Sequence, residues 1–485
     1  MTVMPIFNGG ITAALCGSRA IISSIIPFAE NSANNAFNYN GNNGNLNNNN
    51  KNNSYSCRGV LELKKWRDQM ESLPFPLSEF YDIYKITRKN KGRKPSHLVF
   101  NLCYPQHLLM LCVEVNGQIY GPTTSIAFVI TYPMLREIIA ADFRDRVVQT
   151  LFVVALLPYL EEFEHPHSYS CRVGKGVLKA VERLQYLSEK YYHGYVCIVD
   201  IKSHFMNIDT AFWTPRLIAF IEERCPAGGR RDILCRLAEN IYYHRPQDDC
   251  IRVSPPHLFG LVPPEKSMFN SATGVAIGNV TSQTLSNFIT TWLMVEIDRM
   301  GIEGVLYTDD TTMFSMSKEN LLRAVKRLRE YLPSECHMIL HPKKIYIQKT
   351  RRGFNALGHR IRGRNNTPSK RQVHNVRVFT HKAIGLAKDR RKLYGETQRI
   401  VHDKLNSYLS LLSWSHSYRL RREIVTKFQS SPWNRVLRFP AGYHTVEIRR
   451  RATRRNYLLI RNRKRRKSIL KYLKYHDQTR TDFVA

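Results

Sequence analysis

Two adjacent carboxylates, Asp309 and Asp310, lie between short β-prone stretches at residues 304–307 and 311–314. A tight hairpin built from these stretches would place the pair at its tip. Carboxylate oxygens are the ligands that hard divalent cations prefer. The pair alone indicates little, since Asp-Asp pairs are common in solvated turns. A second pair, Asp248-Asp249, lies in a loop-like setting without flanking strands and is interpreted as such a turn.

A third carboxylate, Asp200, ends an apolar run of strand length at residues 195–199. An ionised carboxylate at the end of a buried strand is costly unless it binds something. Together with Asp309 and Asp310 it would form the carboxylate cage of a two-metal phosphoryl-transfer site. In such a site one ion lowers the pKa of the attacking hydroxyl, and the other stabilises the leaving pyrophosphate.

Between these two blocks, residues 274–287 predict a glycine-containing turn followed by a helix that begins near Thr281. Glycines allow a ligand to approach the backbone closely, and a helix N-terminus offers unpaired N–H groups to an anion. Taken alone, this segment could be any junction between a loop and a helix.

In chain order the three blocks resemble the palm of a reverse transcriptase. The matching positions are Asp200 and Phe205 (motif A), Gly278, Ser282 and Gln283 (motif B), and Tyr307, Asp309 and Asp310 (motif C). The resemblance covers roughly residues 60–430. It implies an α+β right-hand polymerase, with fingers, a palm of antiparallel sheet plus helices, and a helical thumb. It also implies RNA-directed DNA polymerase activity by a two-metal mechanism.

The resemblance further implies which residues hold the metal ions and the incoming deoxynucleoside triphosphate. Two Mg²⁺ ions, which Mn²⁺ could replace, would be held by Asp200, Asp309, Asp310 and the backbone oxygen of Ile201. The nucleotide would contact Arg136 and Arg146 of the fingers, Phe205, Gly278 and Gln283 of the palm, and Lys344 in a segment similar to motif D. Phe205 would press on the sugar and exclude ribonucleotides. Residues 353–358 are similar to the primer-grip hairpin.

Three positions depart from the usual pattern of this family. Met134 stands where a fingers lysine is common, His204 replaces an aromatic residue before Phe205, and Thr308 replaces a more usual Met, Ala or Val. We expect His204 to alter the floor of the nucleotide site. None of these changes removes a carboxylate, so an active enzyme is expected.

The form of motif B most resembles the reverse transcriptases of diversity-generating retroelements. These enzymes copy a template-repeat RNA into adenine-mutagenised cDNA for retrohoming, and a small basic accessory variability protein is then implied as a partner. Two alternatives stay open: a reverse transcriptase of bacterial antiviral defence, and a catalytically inactive palm-fold scaffold that binds RNA. A retron enzyme is less favoured because the thumb lacks a Val-Thr-Gly triplet. A group II intron enzyme is less favoured because a Cys/His endonuclease module is missing.

Charge and composition independently indicate a polyanionic partner. The 485 residues contain 73 Lys and Arg against 39 Asp and Glu, a formal charge of +34. Ribosomal and packaging proteins are equally basic, so charge supports nucleic acid without naming an activity. The expected partners are template RNA, primer and the RNA–DNA heteroduplex, bound by Lys91, Arg93, Lys94, Arg449, Arg450, Arg463, Lys464 and Arg465. The 10 cysteines form no Cys-x-x-Cys motif. Reduced thiols in the cytoplasm are therefore expected. Arg19 interrupts the mildly apolar residues 10–29, so no membrane span is expected.

Composition divides the chain into five predicted parts. Residues 1–58 form an Asn-rich leader, with 14 asparagines between residues 31 and 53, and are predicted to be disordered. Because Asn codons begin with two adenines, the leader is either template-repeat DNA read through as protein or a plain low-complexity segment. N-terminal helices and fingers follow at 59–190, the palm at 191–362, the thumb at 363–440 and a basic tail at 441–485. Within the fingers we predict a helix over 105–115, a hairpin at Asn116-Gly117 and an apolar helix over 147–163.

Overall fold

A computed structural model describes residues 68–89, 91–92, 94–131 and 134–449. The predictions for the leader, and for Arg93, Arg450, Arg463, Lys464 and Arg465, therefore lie outside the described residues. The boundaries of the five predicted parts stay predictions.

The N-terminal part is helical, and its main helices are α1 (Leu77–Arg88), α2 (Pro95–Phe100), α3 (Tyr104–Asn116) and α4 (Phe143–Phe163). Prolines stand in the first turns of α2 and α3, where a missing N–H costs no helical hydrogen bond. The Asp142 side chain caps α4 by accepting from the Arg144 N–H at 3.0 Å. Helices α3 and α4 confirm the predicted helices over 105–115 and 147–163.

The predicted hairpin at Asn116-Gly117 is wrong. Asn116 is the last residue of α3, and the next strand begins only at Ser125. The Asn116 amide donates to the Phe75 carbonyl at 2.8 Å, and its Oδ1 accepts from the Phe75 N–H at 3.0 Å. This contact with a distant segment fixes the helix end, so a local turn signal is overridden by tertiary structure.

A small mixed sheet completes the fingers, in the order β2-β1-β4. Its strands are β1 (Ser125–Ile130), β2 (Arg136–Ala140) and β4 (Cys250–Arg252). Strand β1 pairs antiparallel with β2 and parallel with β4.

The palm contains a four-stranded antiparallel sheet in the order β5-β6-β3-β7. Its strands are β3 (Tyr195–Asp200), β5 (Glu303–Tyr307), β6 (Asp310–Ser315) and β7 (Tyr346–Lys349). The accompanying helices are α5 (Val177–Lys190), α6 (Thr210–Arg224), α7 (Gly229–Tyr242), α8 (Pro256–Gly260), α9 (Val280–Arg299) and α10 (Lys318–Glu335). Helix α9 is buried along most of its length and packs against α4 and β5. The predicted antiparallel palm is confirmed.

A three-stranded hairpin sheet leads into the C-terminal helices. Its strands are β8 (Phe354–Ala356), β9 (His359–Arg362) and β10 (Asn365–Pro368). The thumb helices are α11 (Lys370–Leu386), α12 (Gly395–Ser413) and α13 (Tyr418–Gln429), followed by the short strands β11 (Leu437–Arg438) and β12 (Glu447–Ile448). They enclose a hydrophobic core of their own, in which Trp433 is fully buried and donates from Nε1 to the Ala383 carbonyl. The α+β fold with a helical thumb is confirmed.

The eight cysteines among the described residues are all free thiols. One described run, Pro95–Asn116, is long and apolar enough to cross a membrane by length and composition alone. The main hydrophobic core includes four residues of this run, as it would for a helix buried in a globular domain: Leu108, Leu111, Cys112 and Val115.

Candidate active site

The tip of the β5–β6 hairpin carries Asp309 in a two-residue turn. Tyr307 pairs with Asp310, so Thr308 and Asp309 alone connect the strands. Thr308 adopts a left-handed conformation with φ 61°, which is uncommon for a β-branched residue. Its hydroxyl forms a hydrogen bond of 2.7 Å with the Ser170 hydroxyl. A strained backbone of this kind persists where neighbouring contacts hold it in place, and such positions cluster at functional sites.

Asp200 lies beside this tip because β3 and β6 are adjacent antiparallel strands. Their register pairs Asp200 with Asp310, the first residue of β6. The Asp200 carbonyl accepts from the His341 N–H at 2.7 Å, and its carboxylate accepts from Lys344 Nζ at 2.7 Å. Ile201 is buried and forms a bridge with Leu340. The sheet therefore brings the three predicted aspartates to one end.

The pKa values of Asp309 and Asp310 are both raised at this end of the sheet. Burial, with the neighbouring Asp310 and Asp200 carboxylates, raises the pKa of Asp309 to about 6. Burial and the Asp200 carboxylate raise the pKa of Asp310, an effect that Lys344 opposes. A cation placed among these groups would relieve both the repulsion and the lost hydration of the carboxylates.

The donor set consists of oxygens, which suits Mg²⁺ or Mn²⁺ rather than a softer metal. Within the described ranges, however, no three His, Cys, Asp or Glu side chains are gathered closely enough to hold an ion as they stand. Asp200 is instead paired with Lys344. The residues present fit a divalent cation in their chemistry, and binding it would require Asp200 to exchange this partner.

An open cleft of about 1130 Å³ lies in front of Asp200 and Asp309, somewhat larger than the roughly 300–1,000 Å³ of most small-molecule sites. Its lining includes eight predicted residues: Arg136, Asp200, Ile201, Phe205, Gly278, Gln283, Asp309 and Lys344. Met134 also lines it. Asp310 and Arg146 are not among the lining residues. Arg146 instead donates from Nε to the Ala141 carbonyl at 2.8 Å.

Phe205 is half-buried in the cleft wall and rests against His204. The two rings meet edge to face with centroids 5.3 Å apart. His204 Nε2 forms a hydrogen bond of 2.7 Å with the Ser286 hydroxyl, while Nδ1 has no hydrogen-bond partner within the described part of the chain. Burial lowers the pKa of His204 to about 4, so the ring is neutral near pH 7. Its effect on the floor of the site stays a prediction.

Motif B joins the palm to the fingers. Gly278 has φ 118°, and a Cβ at this position would lie 3.2 Å from Cγ2 of Ile138 on β2. A side chain here would therefore meet both backbone strain and the neighbouring strand. Helix α9 begins at Val280, within one residue of the predicted start. Gln283, in its first turn, donates from Nε2 to Asn287 Oδ1 at 3.0 Å.

Residues 134–361 match the family model described as reverse transcriptase (RNA-dependent DNA polymerase). The chain carries a reverse transcriptase domain. The matched region runs from just before β2 into β9, so it includes Asp200, Asp309 and Asp310 with the four strands of the palm sheet. No protein of curated function matches the chain.

Several solved structures resemble the chain that carries this reverse transcriptase domain. Apo telomerase from Candida tropicalis matches with a TM-score of 0.41 and 9% identity, over 64% of this chain and 60% of that chain. Telomerase from Candida albicans in complex with a TWJ fragment of telomeric RNA matches with a TM-score of 0.38 and 11% identity, over 65% of this chain and 57% of that chain. The chain thus spans about 60% or less of the length of these structures.

One wall of the reverse transcriptase cleft is built from residues that the sequence did not single out. Arg172 is 5% exposed and pairs with Glu164 at 3.0 Å and Glu161 at 2.7 Å. Burial raises the pKa of Glu164 to about 7, opposed by the Arg172 guanidinium. Lys266 adds a cation to the lining. The sequence analysis assigned no role to these residues, and the fold brings them to the cleft.

Of the predicted nucleic-acid contacts, the structure describes Lys91, Lys94 and Arg449, and none of these three lines the cleft. Lys91 is half-buried, and burial together with Arg146 and Lys94 lowers the pKa of its ammonium. The fingers therefore gather these three cations in one place. Arg449 donates from Nε to the Leu437 and Asn434 carbonyls, which ties it to the thumb. The RNA-binding roles of all these residues stay predictions.

Proposed function

We propose that this protein is an RNA-directed DNA polymerase that copies a template-repeat RNA into adenine-mutagenised cDNA for retrohoming of a diversity-generating retroelement. The observation that carries the polymerase activity is the meeting of Asp200, Asp309 and Asp310 at one end of the antiparallel sheet, within a reverse transcriptase domain. The form of motif B, ending in Ser282-Gln283, favours the retroelement.

The chain's own residues divide the work of polymerisation. Asp200, Asp309, Asp310 and the Ile201 carbonyl would hold two Mg²⁺ ions, which lower the pKa of the primer hydroxyl and stabilise the leaving pyrophosphate when bound. Phe205 stands beside this site and would exclude a 2′-hydroxyl. Arg136 and Lys344 line the cleft as cations for the triphosphate. When a metal ion takes the place of Lys344 beside Asp200, the Lys344 ammonium would become available to the triphosphate.

The proposed partners follow from the same activity. Template RNA and primer would enter as an RNA–DNA heteroduplex, and deoxynucleoside triphosphates would enter the cleft. The formal charge of +34 suits the polyanionic heteroduplex. Its binding is expected to weaken steeply as the salt concentration rises. A basic accessory variability protein and a cytoplasmic location belong to the retroelement proposal.

Primer extension tests the polymerase proposal directly. The purified full-length chain should extend a DNA primer on a defined RNA template with deoxynucleotides and Mg²⁺. The Asp309→Asn variant, prepared in parallel, should bind the RNA but leave the primer unextended. Failure of the wild-type chain to extend any primer while it binds the RNA would reject the activity and leave the palm-fold scaffold.

Flanking DNA separates the retroelement from a defence enzyme. A retroelement requires an imperfect repeat near the coding sequence whose two copies differ only at adenines of the template copy. Repeats that differ at all four bases, or the lack of any such repeat, would favour the defence role.

A further inference from the structure

The amide of Gln283 is held in one orientation by its own helix. It lines the cleft from the first turn of α9, and its Nε2 donates to Oδ1 of Asn287 one turn later at 3.0 Å. Residues four apart on a helix lie on the same face, so the helix itself brings these two side chains together. A planar amide that donates toward Asn287 turns its own oxygen, Oε1, away from that residue.

The orientation of Asn287 is itself fixed. Its side chain is nearly inaccessible, with the residue 4% exposed. Its Nδ2 donates to the Ser170 carbonyl at 2.9 Å and lies 3.4 Å from Glu164 Oε2. Both partners are acceptors, so the nitrogen must face them and Oδ1 must face Gln283. A reversed Asn287 amide would place its oxygen against two other oxygens.

The support behind Asn287 is a chain of hydrogen bonds that reaches the catalytic hairpin. Arg172 fixes the segment around Ser170 by donating to the His165 carbonyl at 2.7 Å and by pairing with Glu164. Ser170 is 2% exposed, and its hydroxyl contacts Thr308 beside Asp309. The carbonyl and the hydroxyl of one residue thus support the helix that carries Gln283 and the turn that carries Asp309.

We propose that Asn287 is a positioning residue for nucleotide choice, which engages one N–H of the Gln283 amide and so leaves the amide oxygen Oε1 to accept a hydrogen bond in the cleft. The inference rests on the proposed polymerase function and deepens it. A site built to accept a hydrogen bond discriminates strongly against partners that cannot donate one, because its oxygen is then left unpaired. Without Asn287 the Gln283 amide could rotate and present either end.

Single-nucleotide extension tests this role. The full-length chain and its variants are given a primed RNA template and each deoxynucleotide in turn opposite each template base, and kcat and KM are measured for right and wrong insertions. Gln283→Met removes the amide, Asn287→Leu removes its support at similar volume, and the double variant combines them. Thr290→Val is the matched control, because Thr290 is buried on the same helix and does not line the cleft.

Asn287→Leu is expected to change the ratio of wrong to right insertion about fivefold to tenfold, as loss of one hydrogen bond would, in the same direction as Gln283→Met. The double variant should change this ratio no further than either single variant, since both substitutions remove the same contact between Gln283 and Asn287. Thr290→Val should leave the ratio unchanged. If Asn287→Leu does not fold, Asn287→Ser replaces it.

Two outcomes overturn the inference. One is an equal loss of right and wrong insertion in the Asn287 variant, which marks a merely structural role. The other is a double variant whose effect is the product of the single ones. Both require a wild-type chain that extends primers, so they are distinct from failure of the polymerase proposal, in which the wild-type chain extends none.

Discussion

Lys344 donates from Nζ to the Asp200 carboxylate at 2.7 Å, so one of the three clustered acids already has a cationic partner. The Asp200 side chain is 14% exposed and the Lys344 side chain 56% exposed, so the cationic end of the pair is hydrated and screened by salt. It is therefore a partner that a divalent ion can displace at little cost.

Replacing Lys344 by Met is expected to strengthen Mg²⁺ binding a few-fold in the absence of nucleotide, because a competing cation is removed. The same variant should raise the KM for deoxynucleotides, since a triphosphate contact is lost. Thermal unfolding at increasing Mg²⁺ concentration measures the first effect, and steady-state extension measures the second. Lys343→Met is the control from the adjacent exposed position, and equal behaviour of the two variants would contradict the assignment.

Asp309→Asn is expected to reduce polymerisation by orders of magnitude while RNA affinity stays close to that of the wild-type chain. The substitution removes one metal-binding carboxylate and keeps the shape of the turn. Primer extension measures the loss of polymerisation, and filter binding on the same RNA measures the affinity. Asp248→Asn, in the surface loop, is the matched control. Near-normal cDNA synthesis by the Asp309 variant would refute its role.

Phe205→Ala is expected to admit ribonucleotides, because the ring that would clash with a 2′-hydroxyl is gone. The ratio of kcat/KM for each deoxynucleotide to that for its ribonucleotide should fall at least tenfold, an effect of about 1.4 kcal/mol on the transition state. Phe212→Ala, an aromatic outside the cleft lining, should leave the ratio unchanged. Unaltered discrimination in Phe205→Ala would remove the steric-gate hypothesis.

His204 is expected to make the protein sensitive to acid. Burial lowers its pKa from the ordinary histidine value of about 6.5 to about 4, so the folded state favours the neutral ring. This contribution to stability is present above pH 6.5 and is lost as the pH falls toward 4, by up to about 3 kcal/mol. His204→Phe should lose less stability than the wild type over that interval in denaturant unfolding. His193→Phe, at an exposed position, is the matched control, and parallel stability curves for the wild type and His204→Phe would disprove the prediction.

The Asn-rich leader is expected to contribute neither stability nor catalysis if it is template sequence read as protein. Deletion of residues 1–57 should then leave unfolding and primer extension of the purified protein unchanged. Synonymous recoding of the same DNA should nevertheless impair retrohoming in the cell, because the RNA loses its adenines or its structure. If the leader is instead a peptide that docks the enzyme onto a partner, its deletion should reduce activity and synonymous recoding should have no effect.

Much of the site could be predicted because its chemistry is concentrated in short motifs. Asp200, Asp309 and Asp310 are recognisable from strand-length apolar runs that end in acids, and the antiparallel register then joins them. The order of the motifs also predicted the α+β palm. Local patterns suffice wherever one strand or turn carries the reacting groups.

Contacts between distant segments could not be predicted in the same way. The Asn116 amide pairs with Phe75, 41 residues away, and Asn287 pairs with Ser170, 117 residues away. Asn is a common turn residue and a common helix residue, so its type does not reveal a partner. Thr308 looked like a neutral departure from the family, whereas its hydroxyl anchors the hairpin turn to Ser170.

The thumb encloses its own core, centred on Leu405, Phe428 and Trp433, which shares no residue with the main core of the fingers and palm. Proteins with separate cores lose them in separate cooperative steps. The thumb can therefore melt locally while the aspartates keep their arrangement. Under the polymerase proposal, melting of the thumb would loosen its hold on the heteroduplex and shorten each synthesis run while the catalytic residues stay in place.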